Sequence, residues 1–483
     1  MKEIPRRHWL AAILLIAGLA LRVLVQFSYR PALFYIDTVR YLYDSGGNDP
    51  VGYRLPLKAI LFLSDFDVVA AVQHLLGLAI AVAIYVVLLR RGVPRWLAAL
   101  AIAPVLLDGY QLQMEQMVLP DVWFEALIVA GLVILLWKVG VPGYRYVIAA
   151  GLMLGISATF RQVGEILVLP GLIYLIAACR GWRTTLTRMA AFAAAFVLPI
   201  LVYLTGSQIL VGHFYLSHSG VTTTYGRMAW SADCATLRLP PAERGLCPTA
   251  AQRAHGPDWL EHSPGSPLRK YYEGPLSARA SHLVASFNTA VLHQQPGRVL
   301  ATYASDVIKL FSPAKKTFAG DTPLSRWQFQ VRYPYLSPHA TPVQVLPAIA
   351  RYGGGRPYVW RPGAVFLRAY QLDGGYTPGP LLAFCVLAGL AGTAIAVVAR
   401  FRPASLERCQ LGLACLLFLF SGAAILLMSD LFEFSWRYQL PALVTLPPGA
   451  AAGLAEIARH ARTGRHGDPE QLPQTSEQVR LGH

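Results

Sequence analysis

The sequence has few charged residues. Only 14% of its 483 residues are Asp, Glu, Lys or Arg, whereas 55% are hydrophobic and the mean hydropathy is +0.43. A soluble globular protein carries about 25% charged residues, so this composition excludes a soluble domain as the main architecture. Acidic residues are especially scarce, 26 against 42 basic residues. In a membrane protein such an excess indicates basic cytoplasmic loops, not a nucleic-acid partner.

Long stretches lack charge altogether, and each is close to the length that crosses the hydrocarbon core of a bilayer. We predict an all-α polytopic membrane protein with about ten transmembrane helices. The predicted spans are 9–27, 68–90, 94–108, 119–138, 145–160, 163–179, 188–211, 379–399, 410–429 and 437–457. No small-residue cleavage pattern follows the first apolar run, so we interpret it as a retained span and not as a signal peptide.

Basic residues fall in alternate connections between the predicted spans. By the positive-inside rule these basic connections lie in the cytoplasm, together with both termini. The pattern divides the chain into an N-terminal transmembrane bundle at 1–211 with a first outer loop at 28–67, an extracytoplasmic loop domain of mixed structure at 212–378, C-terminal transmembrane helices at 379–460 and a disordered cytoplasmic tail at 461–483. We expect an integral plasma-membrane protein of bacterial source.

Cysteine is scarce, and only Cys234 and Cys247 fall in the predicted outer domain. Two nearby cysteines on the oxidising side of a membrane indicate a disulfide. Two free thiols are the alternative. A zinc site is disfavoured because no CxxC or HxxxH spacing accompanies them.

Ionisable residues are almost absent from the middles of the predicted spans and gather near their outer ends. Ion-coupled transporters usually carry such groups near the membrane midplane, so the pattern favours an enzyme at the outer surface over a pump. The main candidates are Asp37 after the first span, Asp121 at the start of the fourth, Arg161 in a short turn, and Arg437 at the start of the last.

Each candidate has a simpler structural explanation. Asp37 could form a surface pair with Arg40, worth about 0–1 kcal/mol. Asp121 could cap its helix. Arg161 could contact lipid phosphates, and Arg437 could anchor its helix at the interface. The convergence of acids and arginines at one face of the bundle favours the functional interpretation.

Five segments resemble a known family in the family's order. They are YIDTVRYLY (35–43), GYRLPLKAIL (52–61), LPDVWFEALIVAGLVILL (119–136), GLMLGISATFRQVGEILVLPGL (151–172) and SWRYQLPALVTLPPGAAAGL (435–454). Together they resemble the GT-C glycosyltransferases, in particular the bacterial relatives of protein mannosyltransferases and aminoarabinose transferases. The segment 212–378 matches nothing in that family.

The resemblance implies a reaction and a set of residues. A sugar held on a polyprenyl phosphate moves to an acceptor hydroxyl on the outer face of the membrane, with inversion. By motif position Asp37 is the general base, and Arg161 and Arg437 bind the leaving phosphate. Arg54, Asp121 and Tyr438 are further substrate-binding or phosphate-binding candidates.

The resemblance also implies partners and leaves some open. The partners are a polyprenyl-phosphate sugar donor, membrane lipids and a glycan, lipid or protein acceptor. The resemblance implies no definite cofactor, and it leaves open a divalent metal, either Mg²⁺ or Mn²⁺. Many relatives carry two adjacent acids at the first motif, whereas Thr38 follows Asp37 here, which disfavours a directly bound metal unless Asp121 supplies a second ligand. The alternative functions are a lipid-linked saccharide flippase or a non-catalytic glycan-binding membrane protein, with a structural scaffold third.

Overall fold

The structure of the chain is a computed structural model that describes residues 7–43, 50–212, 214–217, 219–271, 277–332, 342–400 and 410–465. Most of the predicted tail 461–483 therefore lies outside the described residues. So do Arg402 and Arg408, which lie in the connection between the eighth and ninth predicted spans.

The first half of the chain folds into long apolar helices joined by short connections. They are α1 (Trp9–Ser28), α2 (Ile36–Leu42), α3 (Arg54–Leu63), α4 (Phe66–Arg90), α5 (Arg95–Leu107), α6 (Gly109–Gln116), α7 (Asp121–Leu135), α8 (Tyr144–Phe160), α9 (Val168–Ala178) and α10 (Trp182–Val211). A 3₁₀ turn, Gln162–Leu167, joins α8 to α9.

The second half begins with short helices and ends with three long ones. The short helices are α11 (Gly220–Ser231), α12 (Ala250–Arg253), α13 (Pro257–His262), α14 (Ala278–Gln294), α15 (Pro296–Lys309), α16 (Pro342–Tyr352) and α17 (Arg361–Leu372). The long helices are α18 (Gly379–Arg400), α19 (Gln410–Asp430) and α20 (Pro441–Arg465). In the described part of the chain the strands are β1 (Tyr29–Arg30) and β2 (Tyr358–Val359), which pair antiparallel. Among the described residues of 212–378, short helices alternate with irregular stretches, and β2 lies near the end of the segment.

The fold is the all-α polytopic membrane fold that the sequence predicts, but the count of about ten spans is wrong. Within the described residues five helices are long and apolar enough to cross a membrane, or six if the bent pair α5 and α6 counts as one span. They are α1, α4, α10, α18 and α19. The apolar runs overestimated helix length: α7, for example, has 15 residues, about 22 Å at 1.5 Å per residue, whereas the hydrocarbon core is about 30 Å thick.

The segment 212–378, which we call the outer segment after its predicted position, has an apolar core of its own only in its first part. Residues from Val221 to Val299 form a separate buried cluster around Tyr225 and Phe287. Later residues of the segment, among them Trp327 and Phe329, instead join the cluster that includes the first outer loop. The second part of this segment is therefore packed directly against residues 29–42.

A disulfide joins Cys234 to Cys247 in the first part of the outer segment, and their Cα atoms are 5.9 Å apart. Both cysteines pack against the separate cluster. The bond closes a loop whose ends are 13 residues apart in sequence.

A buried polar network joins α6 to α1 and α4. All eight residues of α6 are buried. Glu115 accepts from Arg22 of α1 at 2.6 Å and contacts His74 Nδ1 of α4 at 2.8 Å. The three side chains are at most 4% exposed. Removing one partner of such a buried ion pair costs about 3–5 kcal/mol, because the other charge is left uncompensated.

Replacing Gly77 by Ala should disturb this network. A Cβ on Gly77 would overlap Glu115 Oε1 and would lie 2.8 Å from Arg22 Nη2, so the ends of both side chains must shift to admit it. In α10, by contrast, Gly206 has open space around its Cβ position, and Ala is the better helix former by about 1 kcal/mol. We expect Gly77→Ala to lower the thermal unfolding temperature in detergent and Gly206→Ala to leave it unchanged or raise it. Equal unfolding temperatures for the two variants would contradict the importance of the network.

Loss of the disulfide should destabilise the outer segment. For a closed loop of about 15 residues the chain-entropy contribution is about 3 kcal/mol. We expect Cys234→Ser with Cys247→Ser to increase proteolysis between residues 219 and 300 while leaving the transmembrane part resistant. Cys385→Ser, which changes a buried free cysteine of α18, is the control. A similar increase in proteolysis in that variant, or no increase in the double variant, would count against stabilisation of the outer segment by the disulfide.

Candidate functional site

The site begins with the segment that leads into α2. Leu33 forms a parallel bridge to Met117: its N–H donates to Gln116 O at 2.9 Å and its carbonyl accepts from Val118 N–H at 2.9 Å. The buried Thr38 hydroxyl donates to Val118 O at 2.9 Å. These bonds fix the backbone on both sides of Asp37. They also give Thr38, the residue in place of a second acid, a structural role.

Asp37 and Asp121 come together around Arg437. Arg437 Nη1 donates to Asp37 Oδ2 at 2.6 Å, while its Nε and Nη2 donate to the two oxygens of Asp121 at 3.0 and 2.8 Å. Arg161 Nη1 donates to Asp121 Oδ1 as well. We call these four residues, with Arg40, the carboxylate–arginine cluster. Three guanidinium groups and two carboxylates leave it with a net positive charge.

The structure decides between the simpler explanations for several of these residues. The Arg437 side chain is only 4% exposed, so it does not anchor its helix in lipid. The N-cap of α7 is Pro120, and the Asp121 carboxylate contacts arginines instead. The Asp37–Arg40 pair does exist, but at 3.7 Å between Oδ1 and Nη1 it is longer than a hydrogen bond.

The two carboxylates differ in accessibility. The Asp121 side chain is 7% exposed and accepts three hydrogen bonds. The Asp37 side chain is 17% exposed, and its Oδ1 lies beyond hydrogen-bond distance of Arg40. Asp37 is therefore the more exposed of the two carboxylates.

Electrostatics keep Asp37 ionised. Burial raises the pKa of its carboxyl. The guanidinium groups of Arg437 and then Arg40 lower that pKa by more, so that the net pKa is below the ordinary value. Burial, and secondarily the Asp37 charge, raises the pKa of Tyr35 to about 12. At neutral pH the site thus contains an ionised carboxylate beside a neutral phenol.

Aromatic rings surround the Arg437 guanidinium. Its Cζ lies 5.9, 5.5 and 5.8 Å from the ring centroids of Tyr35, Trp327 and Tyr438. Tyr438 is also 4.7 Å from the Arg161 guanidinium. Trp327 and Arg326, whose Nη1 donates to the Tyr35 hydroxyl at 3.1 Å, belong to the outer segment. Sequence reasoning missed both residues, because that segment carries no motif that points to them.

A small cavity adjoins the cluster. It is lined by Asp121, Glu125, Arg161, Ser429, Arg437 and Tyr438 together with apolar side chains, and its volume is about 10 Å³. That is room for about one water molecule. Of the predicted site residues, Asp37 and Arg54 do not line this cavity. Arg54 starts α3, and its Nη2 donates to Tyr43 O at 2.9 Å.

The two carboxylates of the cluster are arranged around a guanidinium group. Mg²⁺ and Mn²⁺ prefer several oxygen ligands. The described residues contain no group of three or more His, Cys, Asp or Glu side chains that could hold a metal ion. Both carboxylates of the cluster are already bound to one guanidinium.

Comparison with known proteins gives structural likenesses only. No protein-family profile and no curated protein sequence matches the chain. Among solved structures, the Archaeoglobus fulgidus oligosaccharyltransferase in the apo form is 12% identical with a TM-score of 0.43, over 96% of this chain and 52% of that one. The S. cerevisiae protein O-mannosyltransferase complex bound to its sugar donor is 15% identical with a TM-score of 0.32, over 46% of this chain and 36% of that one.

Both likenesses are to GT-C membrane glycosyltransferases, the superfamily that the sequence resembles. This chain spans about half the length of the archaeal enzyme and about a third of the yeast one. At these identities and TM-scores, no conclusion about the chain's activity rests on either.

Replacing Arg437 should change how stability depends on pH. A carboxyl with a lowered folded pKa stabilises the protein above its unfolded pKa, about 3.9, and loses that contribution as the pH falls. Without the Arg437 charge, burial should raise the Asp37 pKa instead. We expect Arg437→Met to lower the unfolding temperature at pH 7 and to reduce its further fall between pH 5 and pH 3. Arg459→Met, which removes an arginine paired within α20, is the control. The same dependence of unfolding temperature on pH in both variants would argue against the role of Arg437 in lowering the Asp37 pKa.

Proposed function

We propose that the protein is a glycosyltransferase that moves a sugar from a polyprenyl-phosphate carrier to an acceptor hydroxyl at the outer face of the membrane. The observation that carries the proposal is Asp37: an ionised, partly exposed carboxylate held by Arg437 in a cluster with net positive charge. The sequence resemblance to GT-C enzymes supports it, as does the set of membrane helices.

In the proposed reaction the acceptor hydroxyl gives its proton to Asp37 Oδ1 as its oxygen bonds to the sugar C1. The bond between C1 and the phosphate oxygen breaks, and its electron pair leaves with the polyprenyl phosphate. Inversion follows because the acceptor attacks opposite the phosphate. Asp37 needs no prior deprotonation, since its pKa is below the ordinary value.

The leaving phosphate requires a cation that is accessible. Three nitrogens of Arg437 already donate to Asp37 and Asp121. Arg161 is bound to Asp121 through Nη1 and is 19% exposed. We therefore assign phosphate stabilisation chiefly to Arg161 and the positioning of Asp37 to Arg437, which refines the expectation that both arginines bind phosphate. Donors placed where charge develops are typically worth about 10²–10³-fold in rate.

The proposed location follows from the basic connections. If the Arg-rich connections lie in the cytoplasm, the cluster at the opposite ends of the helices faces outward. Polyprenyl-linked sugar in the outer leaflet would then reach it directly. The sugar could be a hexose or a pentose, and the acceptor a glycan, lipid or protein.

The central test is Asp37→Asn in a transfer assay with a panel of polyprenyl-phosphate sugars. The amide keeps the shape but cannot accept the proton, so we expect kcat to fall about 10²–10⁴-fold. Asp67→Asn is the matched control, since Asp67 is also paired to an arginine and its side chain is equally exposed at 17%. Transfer by Asp37→Asn at the rate of the control would refute the assignment of the base.

The same assay tests the metal. Because the cluster offers no set of three metal ligands, we expect transfer to persist after EDTA treatment. Restoration of lost activity by Mg²⁺ or Mn²⁺ would contradict this expectation without affecting the assignment of Asp37.

A further inference from the structure

His74 of α4 lies in the interior of the bundle, where both nitrogens of its ring contact α6. The side chain is 5% exposed. Nδ1 lies 2.8 Å from Glu115 Oε2, and Nε2 lies 2.8 Å from Gln116 Oε1. A neutral imidazole has one N–H and one lone pair, whereas an imidazolium has two N–H groups. The nature of the two contacting oxygens therefore decides the charge of the ring.

The amide of Gln116 is oriented by its other hydrogen bond. Gln116 Nε2 donates to Tyr29 O at 2.7 Å, and a backbone carbonyl oxygen can only accept. The NH₂ group therefore faces Tyr29, and Oε1 faces His74. Because an amide oxygen cannot donate, the hydrogen between Gln116 and His74 belongs to Nε2 of the ring.

The carboxylate of Glu115 decides the proton on the other ring nitrogen. Its Oε1 accepts from Arg22 Nη2 at 2.6 Å, and both side chains are buried. A guanidinium is always charged in proteins, and a buried cation without a paired anion is costly, so Glu115 is ionised. An ionised carboxylate can only accept, and His74 Nδ1 donates to it. Both ring nitrogens then carry a hydrogen, which makes the ring a cation.

Few charged groups surround this cation. Within the described residues the ion pairs next to the ring involve Glu115 of α6 and, beyond it, Arg22 of α1. The next carboxyl group is Glu125 of α7, which accepts from Gln111 Nε2 at 2.7 Å, and the same nitrogen lies 3.4 Å from Glu115 Oε1. From α5, backbone carbonyl groups accept from Arg22. Among the described contacts, α3 and α20, which also pack on α4, place no charged group in bonding contact with the ring.

The bond from His74 reaches the backbone that leads to Asp37. Gln116, held by His74 Nε2, binds this backbone at two points. Its side chain donates to Tyr29 O, and its carbonyl accepts from Leu33 N–H at 2.9 Å. The protonated ring therefore helps to fix the approach to α2, although it does not touch Asp37.

Loss of one proton would leave the ring with one of its two bonds. Hydrogen bonds to an ionised acceptor are about twice as strong as those to a neutral one, so the remaining hydrogen stays on Nδ1, between His74 and Glu115. The lone pair of Nε2 would then face Gln116 Oε1, and the bond to Gln116 would be lost.

We propose that His74 is a positioning residue of the candidate site: as a doubly protonated imidazolium it holds Gln116 and, through Gln116, the backbone that leads to Asp37. A neutral core histidine is the simpler interpretation, but a neutral ring cannot donate to two acceptors. The effect of His74 on transfer rests on the proposed function, whereas the charge of its ring does not.

The charge of the ring can be measured without any substrate. The full-length protein is labelled with ¹⁵N-histidine, placed in lipid bilayers and examined by solid-state NMR at pH 7, and the His74 signals are those missing from His74→Gln. We expect both ring nitrogens to carry a hydrogen. The double variant Arg22→Met with Glu115→Gln removes both buried charges together, and its ring should be neutral with the hydrogen on Nε2. A single N–H in the wild-type protein, or two in the double variant, would overturn the proposal.

The effect on Asp37 can be measured as the pH dependence of transfer. We expect kcat/KM to fall at low pH, where Asp37 is protonated, and at high pH, where His74 loses a proton. His74→Gln should lower kcat/KM at pH 7 about 2–10-fold, as the loss of one hydrogen bond allows, and should remove the fall at high pH while keeping the fall at low pH.

Two variants are controls for the fall at high pH. His8→Gln changes a histidine whose Nδ1 lies 2.7 Å from the Tyr85 hydroxyl, and it should keep this fall. Glu125→Gln changes the next carboxyl group along the network and should keep it too. A wild-type fall at high pH that persists in His74→Gln, or that disappears in Glu125→Gln alone, would overturn the proposal.

The two proposals fail in different ways. Amide hydrogen exchange in residues 29–42 should be faster in His74→Gln than in His8→Gln. This result together with a doubly protonated ring, but without transfer from any donor, would contradict the glycosyltransferase and leave the role of His74 intact. Transfer by His74→Gln with the wild-type pH dependence would contradict the role of His74 and leave the glycosyltransferase intact.

Discussion

The site depends on one interaction, the fork of Arg437 between two carboxylates. The guanidinium joins Asp121, 316 residues earlier in sequence, to Asp37, 400 residues earlier, and so ties the start of α20 to α2 and α7. A lysine could not replace it, because a single ammonium lacks the planar set of donors that meets both oxygens of Asp121 while reaching Asp37. The same bonds that hold the helices together also fix the charge and direction of the one accessible carboxylate.

A second buried ion pair, between Arg22 and Glu115, helps to position the two carboxylates from inside the bundle. Arg22 and His74 hold Glu115 in α6, and the residues directly after α6 form the bridge to Leu33. That bridge leads to Asp37 in one direction and to Asp121 in the other. The network of Arg22, His74 and Glu115 therefore does not touch Asp37 or Asp121, but it fixes the backbone that positions them. This gives a physical reason for placing charges in an apolar interior, where their burial is costly.

The sequence predicted the fold class, since uncharged apolar runs admit few structures in a membrane. It did not predict the number of spans, because an apolar run does not show where α7 ends or that α5 and α6 bend by 52° at Asp108. For the candidate site, the resemblance pointed to Asp37, Asp121, Arg161 and Arg437, which the structure places in contact. The burial of Glu115 was missed because a polar residue between two apolar runs is normally exposed; only contacts between distant helices reveal its partners.

The outer segment explains why this site needs more than the membrane helices. Trp327 packs over the Arg437 guanidinium, Arg326 bonds to Tyr35, and Lys315 reaches Trp436. These three residues come from the stretch that resembles no known motif. Aromatic faces beside a guanidinium exclude water and strengthen its attraction to carboxylates. Because that wall is built by residues between 315 and 327, changes in this segment can alter access to Asp37 without altering the cluster itself.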